Sequence, residues 1–295
     1  MNLSLSRSFP IAKATLAAAV IACAFALACS LAGCASGGTG SSSADADNTS
    51  ASTDGKTLRV AMELAYPPFE TKDDAGNPEG LAVDFIRDFG AAYGYDVQIE
   101  NTAWDGLIPS LQSDKADLVI SSMTITDERK QSVDFSDAYA MAQLAILANA
   151  DSGVASIDDL NQPGKKVAVK TGSTGDVYAT KNLTNAEIVR LADESACVTE
   201  VVQGKADGFL YDQLTIYRNH QANPDTTEAV FIPFQDAEEW GIAVKKGDTE
   251  LLDQLNAFIA QSKTDGEFDR LTEKYLADEK KAFDQYGFKW FFDFE

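Results

Sequence analysis

A strand-length apolar run followed by a helical pattern recurs along this chain as two sets in the same order, and no other feature constrains the fold as tightly. From Thr57 the first set reads as a strand at Leu58 to Met62, a helix around Ala82 to Tyr93, a strand at Val97 to Ile99, a helix around Leu107 to Gln112 and a strand at Leu118 to Ile120. The second reads as a strand at Val167 to Val169, a helix near Gly175 to Lys181, a strand at Ile188 to Arg190, a helix near Ala196 to Gln203 and a strand at Gly208 to Leu210. Such alternation predicts an α/β protein with mostly parallel strands. The sets also echo each other in residues, since Leu111-Gln112-Ser113-Asp114-Lys115-Ala116-Asp117 before one strand answers Val202-Gln203-Gly204-Lys205-Ala206-Asp207 before the other. The expectation is two similar lobes, each a mostly parallel sheet flanked by helices.

Beyond the second set, Leu251, Leu252, Leu255, Phe258 and Ile259 fall at helical spacing, a turn follows at Asp265-Gly266, and Phe268, Leu271 and Tyr275 mark another helix. These helices are expected to return to the first lobe. The chain then crosses between lobes near Met141 to Ala142 and again near Glu238 to Trp240, a two-crossing hinge. Residues 57–141 and 239–295 would form the first lobe, and residues 142–238 the second. The aromatic tail Phe283 to Glu295 is expected to pack on the first lobe; left exposed, it would be an interaction strip.

Upstream of Thr57 the chain reads as a leader and a tether. Arg7 and Lys13 precede an apolar run from Ala14 to Leu31 that is too short and Ala-rich for a permanent membrane span, and Leu31-Ala32-Gly33-Cys34 follows it. That tetrapeptide resembles the bacterial lipobox, which implies removal of residues 1–33 and acylation of Cys34; the other readings are cleavage elsewhere, for instance near Cys29, or an uncleaved anchor. Two or more acyl chains hold a protein on a membrane where one does not. Residues 34–56 then form a flexible tether, because the stretch from Ala35 to Gly55 holds no bulky apolar side chain to offset the entropy of ordering. As a Gly/Ser coil its reach is roughly 25 Å.

Charge and cysteine content narrow the partners. Losing Arg7 and Lys13 takes the net charge from −22 to −24, which repels phosphate backbones and anionic headgroups, so nucleic acid is excluded and membrane contact falls to the lipid. Of four cysteines only Cys197 remains in the mature body unmodified, which rules out an internal disulfide and a Cys-rich metal site and suits a buried apolar thiol.

In an open α/β sheet ligands bind beyond the carboxyl ends of the strands, so two lobes face each other across four loops, at residues 63–69, 121–129, 171–176 and 211–213. Their residues match a zwitterion. Arg129, one turn after the predicted cap Thr126, can offer its planar fork to a carboxylate with help from the Ser122 and Thr124 hydroxyls; equally it can pair with an acidic neighbour on its helix. Gly172-Ser173-Thr174-Gly175 can form a nest of backbone N–H groups for the same anion, or a simple tight turn. Asp212 can accept from an ammonium group or cap the helix after it. Tyr66 and Trp104 can wall the pocket, with Phe69 assigned to the core.

Ala65-Tyr66-Pro67-Pro68-Phe69-Glu70, Trp104-Asp105-Gly106-Leu107-Ile108-Pro109-Ser110-Leu111, the run from Ser121 to Lys130 and Val133-Asp134-Phe135-Ser136 resemble the bacterial extracellular solute-binding proteins of amino-acid ABC transporters, the polar amino-acid family. The resemblance extends from about Thr57 to Tyr275. It implies the periplasmic-binding-protein type II fold and a ligand α-carboxylate held by Arg129 and the backbone at Thr124 and Thr174. It also implies an α-ammonium held by Asp212, the Ser122 carbonyl and the Thr124 hydroxyl, and side-chain selection at Glu63, Tyr66, Trp104 and Ser121. With Ser173 in the Gly-rich turn, these are the expected ligand-binding residues. Gly80-Leu81-Ala82-Val83-Asp84 departs from the family's usual Gly-Phe-Asp-Val-Asp.

The reading expected is a monomeric lipoprotein on the outer face of the cell membrane that captures a polar or basic amino acid and delivers it to a permease, with no cofactor or metal. Two alternatives stand beside it, a dehydratase-like lyase of the same fold using a cleft carboxylate as general acid and a ligand sensor for a membrane receptor. Glu63 is the one strand-end acid that such a lyase would use.

Overall fold

The computed structural model describes residues 56–286 and 289–294; the leader, Cys34, the tether up to residue 55 and Phe288 of the tail lie outside the described residues. Two five-stranded sheets organise the body, and their topology is the same. In the first, the strands Tyr95–Asn101, Lys56–Met62, Leu118–Val119, Ala243–Lys245 and Val133–Phe135 lie in that order. In the second the order is Glu187–Leu191, Lys166–Lys170, Gly208–Asp212, Leu144–Asn149 and Thr227–Val230. The fourth strand of each sheet runs antiparallel to both its neighbours, so the remaining strands share one direction.

The repeated Ala-Asp has one job in both lobes. Asp117 Oδ2 accepts from the Arg59 backbone N–H at 2.8 Å while its own N–H donates to the Arg59 carbonyl. Asp207 Oδ2 accepts from the Lys166 N–H at 2.8 Å and its N–H donates to the Lys166 carbonyl. Each aspartate thus ties the start of the third strand of its sheet to the second. In the preceding turns Asp114 and Gly204 hold matching left-handed conformations, φ 57° and 67°.

Strand alternation supplies the cores. In the second lobe Val167 and Val169 face Leu160, Ala179 and Leu183 on one side of the sheet, whereas Ala168 and Phe209 face Cys197, Val201 and Ile216 on the other. Burial pushes the Cys197 thiol up to about 12, which keeps it an unreactive packing group. In the first lobe the helix Leu81–Tyr93 buries Leu81, Phe85, Ile86 and Phe89 at helical spacing against the returning helices Thr249–Ser262 and Glu267–Tyr275. A further helix, Ala277–Tyr286, leads to Trp290 and Phe291, both buried in this core.

The chain passes between the sheets twice, on Ala140–Ala142 and on Glu238–Trp240, and these two strands pair antiparallel with Glu238 opposite Ala142 and Trp240 opposite Ala140. Each crossing leads directly into the antiparallel strand of the lobe it enters, Leu144–Asn149 or Ala243–Lys245.

Candidate ligand cleft

Between the two sheets lies one cleft, and all ten residues anticipated from the sequence line it: Glu63, Tyr66, Trp104, Ser121, Ser122, Thr124, Arg129, Ser173, Thr174 and Asp212. Glu70, Leu144, Tyr211, Glu238 and Trp240 complete the wall. Phe69 is fully buried behind it and stacks on Tyr66 at 5.5 Å, as expected of a core residue. The lobes meet across the cleft and leave a cavity of about 40 Å³, room for a few waters and too little for an amino acid.

Local structure sets each group. Thr126 caps the short helix Asp127–Lys130 by accepting from the Arg129 N–H, which aims the arginine side chain back over its own loop. Arg129 Nη1 donates to the Thr124 carbonyl at 2.7 Å and Nη2 to the Gly172 carbonyl of the other lobe at 3.2 Å. Among the described residues it forms no ion pair with an acid of its own helix, and its guanidinium lies 5.2 Å from the Trp104 ring. Burial lowers the Arg129 pKa, opposed chiefly by the field of Glu238. Ser122 takes a left-handed conformation, φ 48°, which turns the loop around the cleft.

Across the cleft, Ser173 caps the helix Thr174–Asn182 by accepting from the Asp176 N–H. The Gly172 N–H is engaged by Asp176 Oδ2 at 3.0 Å, so the Gly-rich turn does not present every donor to the cleft. At Gly175 a side chain would collide with the Leu210 carbonyl, so glycine lets this helix start sit against the strand end.

Asp212 divides its two oxygens between a helix and the cleft. Oδ1 accepts from the Leu214 and Thr215 N–H groups at 2.9 and 3.1 Å, a helix cap, while Oδ2 is buried and meets no donor at full hydrogen-bond geometry among the described residues. Burial raises the Asp212 carboxyl. The nearby buried Tyr66 hydroxyl also lacks a partner at full hydrogen-bond geometry, yet it is close enough to interact with the Asp212 carboxyl and to lower its pKa against that rise. An orphaned buried carboxylate oxygen is costly until a donor reaches it, and an ammonium group is the donor that suits it best.

Three acids and a lysine not assigned from the sequence shape the rest. Lys170, at the end of its strand, forms a buried ion pair with Glu63 of the opposite lobe and lies 5.1 Å from the Trp104 ring. Glu70 is buried and accepts from the Ser122 hydroxyl at 3.1 Å and more weakly from Ser121; burial holds its carboxyl well above the usual range, with Glu63 adding to the shift. Burial, reinforced by Asp212, pushes Glu194 up to about 8. Glu238, on the second hinge strand, accepts from Thr124 and Thr174. A second buried acid therefore stands at the cleft in Glu70, inside a motif already singled out.

Residues 58–278 match the sequence profile of the bacterial extracellular solute-binding proteins, family 3. The chain belongs to that family. Its folded body is accordingly of an extracytoplasmic class, and its architecture is that of the type II periplasmic binding proteins. Among relatives of this solute-binding protein is a probable histidine-binding protein of Neisseria gonorrhoeae, 37% identical over 260 residues that cover 87% of this chain and 95% of the relative. An ancestral amino acid-binding protein, described as a precursor of cyclohexadienyl dehydratase, superimposes with a TM-score of 0.68 at 38% identity, covering 74% of this chain and 94% of its own. An ancestral arginine-binding protein, solved with arginine and again with glutamine, gives a TM-score of 0.69 at 36% identity over 75% of this chain and 98% of its own.

Proposed function

We propose that this solute-binding protein is a lipid-anchored, monomeric receptor that holds the zwitterionic head of a free L-amino acid between Arg129 and Asp212 and hands it to an ABC transporter permease. The observation that carries this is a buried Asp212 oxygen that meets no donor at full hydrogen-bond geometry, in the cleft that also holds Arg129, whose guanidinium among the described residues donates to two backbone carbonyls and to no carboxylate. Ser122, Thr124, Ser173 and Thr174 add neutral donors and acceptors around the head group.

The side-chain end of the cleft favours a neutral hydrogen-bonding ligand such as glutamine. Glu63 suits a cation only while its charge is free, and here Lys170 neutralises it from a nearly water-free position. A basic ligand would have to expel that ammonium group or leave two cations side by side. A thermal-shift screen against the twenty amino acids tests the reading, since a ligand at 100 times its dissociation constant adds about 2.7 kcal/mol to stability. Glutamine is expected to shift wild type more than arginine, and Lys170→Met, which frees Glu63, is expected to reverse that order. Arginine preferred by wild type would refute the assignment of Lys170.

One observation favours a lyase as second reading, because burial raises the carboxyls of Glu70 in the cleft wall and of Glu194 outside it, the direction a general acid needs. Glu70, however, is saturated by two serine hydroxyls and Glu194 does not line the cavity. Incubation with a cyclohexadienyl carboxylic acid, followed by ultraviolet absorbance of any aromatic product, is expected to show no turnover.

A further inference from the structure

We infer that Glu238 is a built-in occupant of the carboxylate end of this cleft: its side chain holds the two lobes together through Thr124 and Thr174 and must swing aside when an amino acid binds. The displacement rests on the amino-acid reading above, whereas the holding of the lobes does not.

Glu238 stands on the second hinge strand, paired with Ala142 of the first, and therefore on the axis between lobes. Its Oε2 accepts from Thr124 Oγ1 of the first lobe at 2.9 Å and from Thr174 Oγ1 of the second at 2.7 Å. Its Oε1 accepts from Gln235 Nε2 at 2.7 Å. One carboxylate oxygen bridging hydroxyls from opposite lobes does what the carboxylate of a bound amino acid would do there.

The loop that carries Arg129 is stitched to the same strand. The Ile125 N–H donates to the Glu239 carbonyl at 2.8 Å and the Gly241 N–H to the Met123 carbonyl at 3.0 Å, so Glu238 cannot drift from the Arg129 loop as a rigid unit. Only its side chain can leave. Of the acids around Arg129, Glu238 exerts the largest attractive field on the guanidinium. A second carboxylate brought to the same donors would face a like charge at close range, which disfavours both remaining there.

A ligand then competes with the protein's own side chain, and apparent affinity is the intrinsic affinity multiplied by the fraction of molecules with Glu238 withdrawn. Ligands without an α-carboxylate, such as an amino alcohol, gain little from the exchange because they cannot take over the Thr124 and Thr174 hydroxyls from Glu238.

The test compares wild type with Glu238→Gln and Glu238→Ala, each checked for cooperative melting. Solution scattering without ligand is expected to show an expanded Glu238→Ala and a compact wild type. Calorimetry with L-glutamine and L-arginine is expected to show Glu238→Ala binding about tenfold tighter or more, with Glu238→Gln between the two because it keeps an acceptor without the charge. Weaker binding by Glu238→Ala would overturn the inference and make Glu238 a ligand contact; unchanged dimensions together with unchanged affinity would overturn it as well. Should no amino acid bind any of the three proteins, the amino-acid reading fails, and scattering alone then decides whether Glu238 holds the lobes.

Discussion

Asp212 Oδ1 is committed to the backbone of the helix that follows it and Oδ2 to the cleft, so the two roles can be separated by substitution. Asp212→Asn keeps an oxygen for the cap and loses the charge; its melting temperature should stay near wild type while amino-acid affinity falls by roughly two to three orders of magnitude in calorimetry. Asp212→Ala should lose the same affinity and about 1 kcal/mol of stability besides. Glu194 offers a second test through pH. Its folded pKa, raised from 4.5 to about 8, means that folding takes up a proton, so its contribution is fully present below pH 4.5 and is lost as pH rises through about 8. Glu70 and Asp212 shift in the same direction. Glu194→Gln should therefore raise stability at pH 8 by at least about 2 kcal/mol, change little at pH 4.5 and flatten the melting-temperature profile between them.

At the scale of elements, the tail is structural. Trp290 donates from Nε1 to Thr272 Oγ1 at 3.2 Å, Phe291 packs on Phe69, Trp240 and Phe283, and the Phe291 carbonyl accepts from the Met141 N–H of the first hinge strand at 2.7 Å. Trp290→Ala should cost about 3–5 kcal/mol in denaturant unfolding, the range for emptying a large aromatic site. Strands and helices with strong periodicity were legible in the sequence, because alternation and 3.6-residue spacing are local signals. The helix Ala277–Tyr286 was not, since Ala-Asp-Glu-Lys-Lys-Ala-Phe offers one buried apolar residue, Phe283, and its position depends on the tail. Of the cleft, residues in strand-end loops were legible from topology and residue type. Lys170 and Glu238 were hidden because Lys166-Val167-Ala168-Val169-Lys170 reads as a strand with solvated ends and Gln235-Asp236-Ala237-Glu238-Glu239 as a polar surface run. Their burial and partners come from contacts 107 and 114 residues distant.

For the molecule as a whole, the anchoring proposed at Cys34 is open to direct test. Wild type should partition with membranes and carry acyl chains by mass spectrometry, and Cys34→Ala should block maturation or free the protein; wholly soluble, unacylated wild type would sink that reading. The first lobe's sheet is completed by Ala243–Lys245, which sits between Leu118–Val119 and Val133–Phe135 and is supplied only after the whole second lobe has been traversed. A chain emerging from its N-terminus can finish the second sheet from residues 144–230, but the earlier lobe must wait with an open seam in its middle. The lobe that begins first is the one that closes last, so the exposed edges at Leu118–Val119 and Val133–Phe135 are where a half-made molecule is open to a wrong partner.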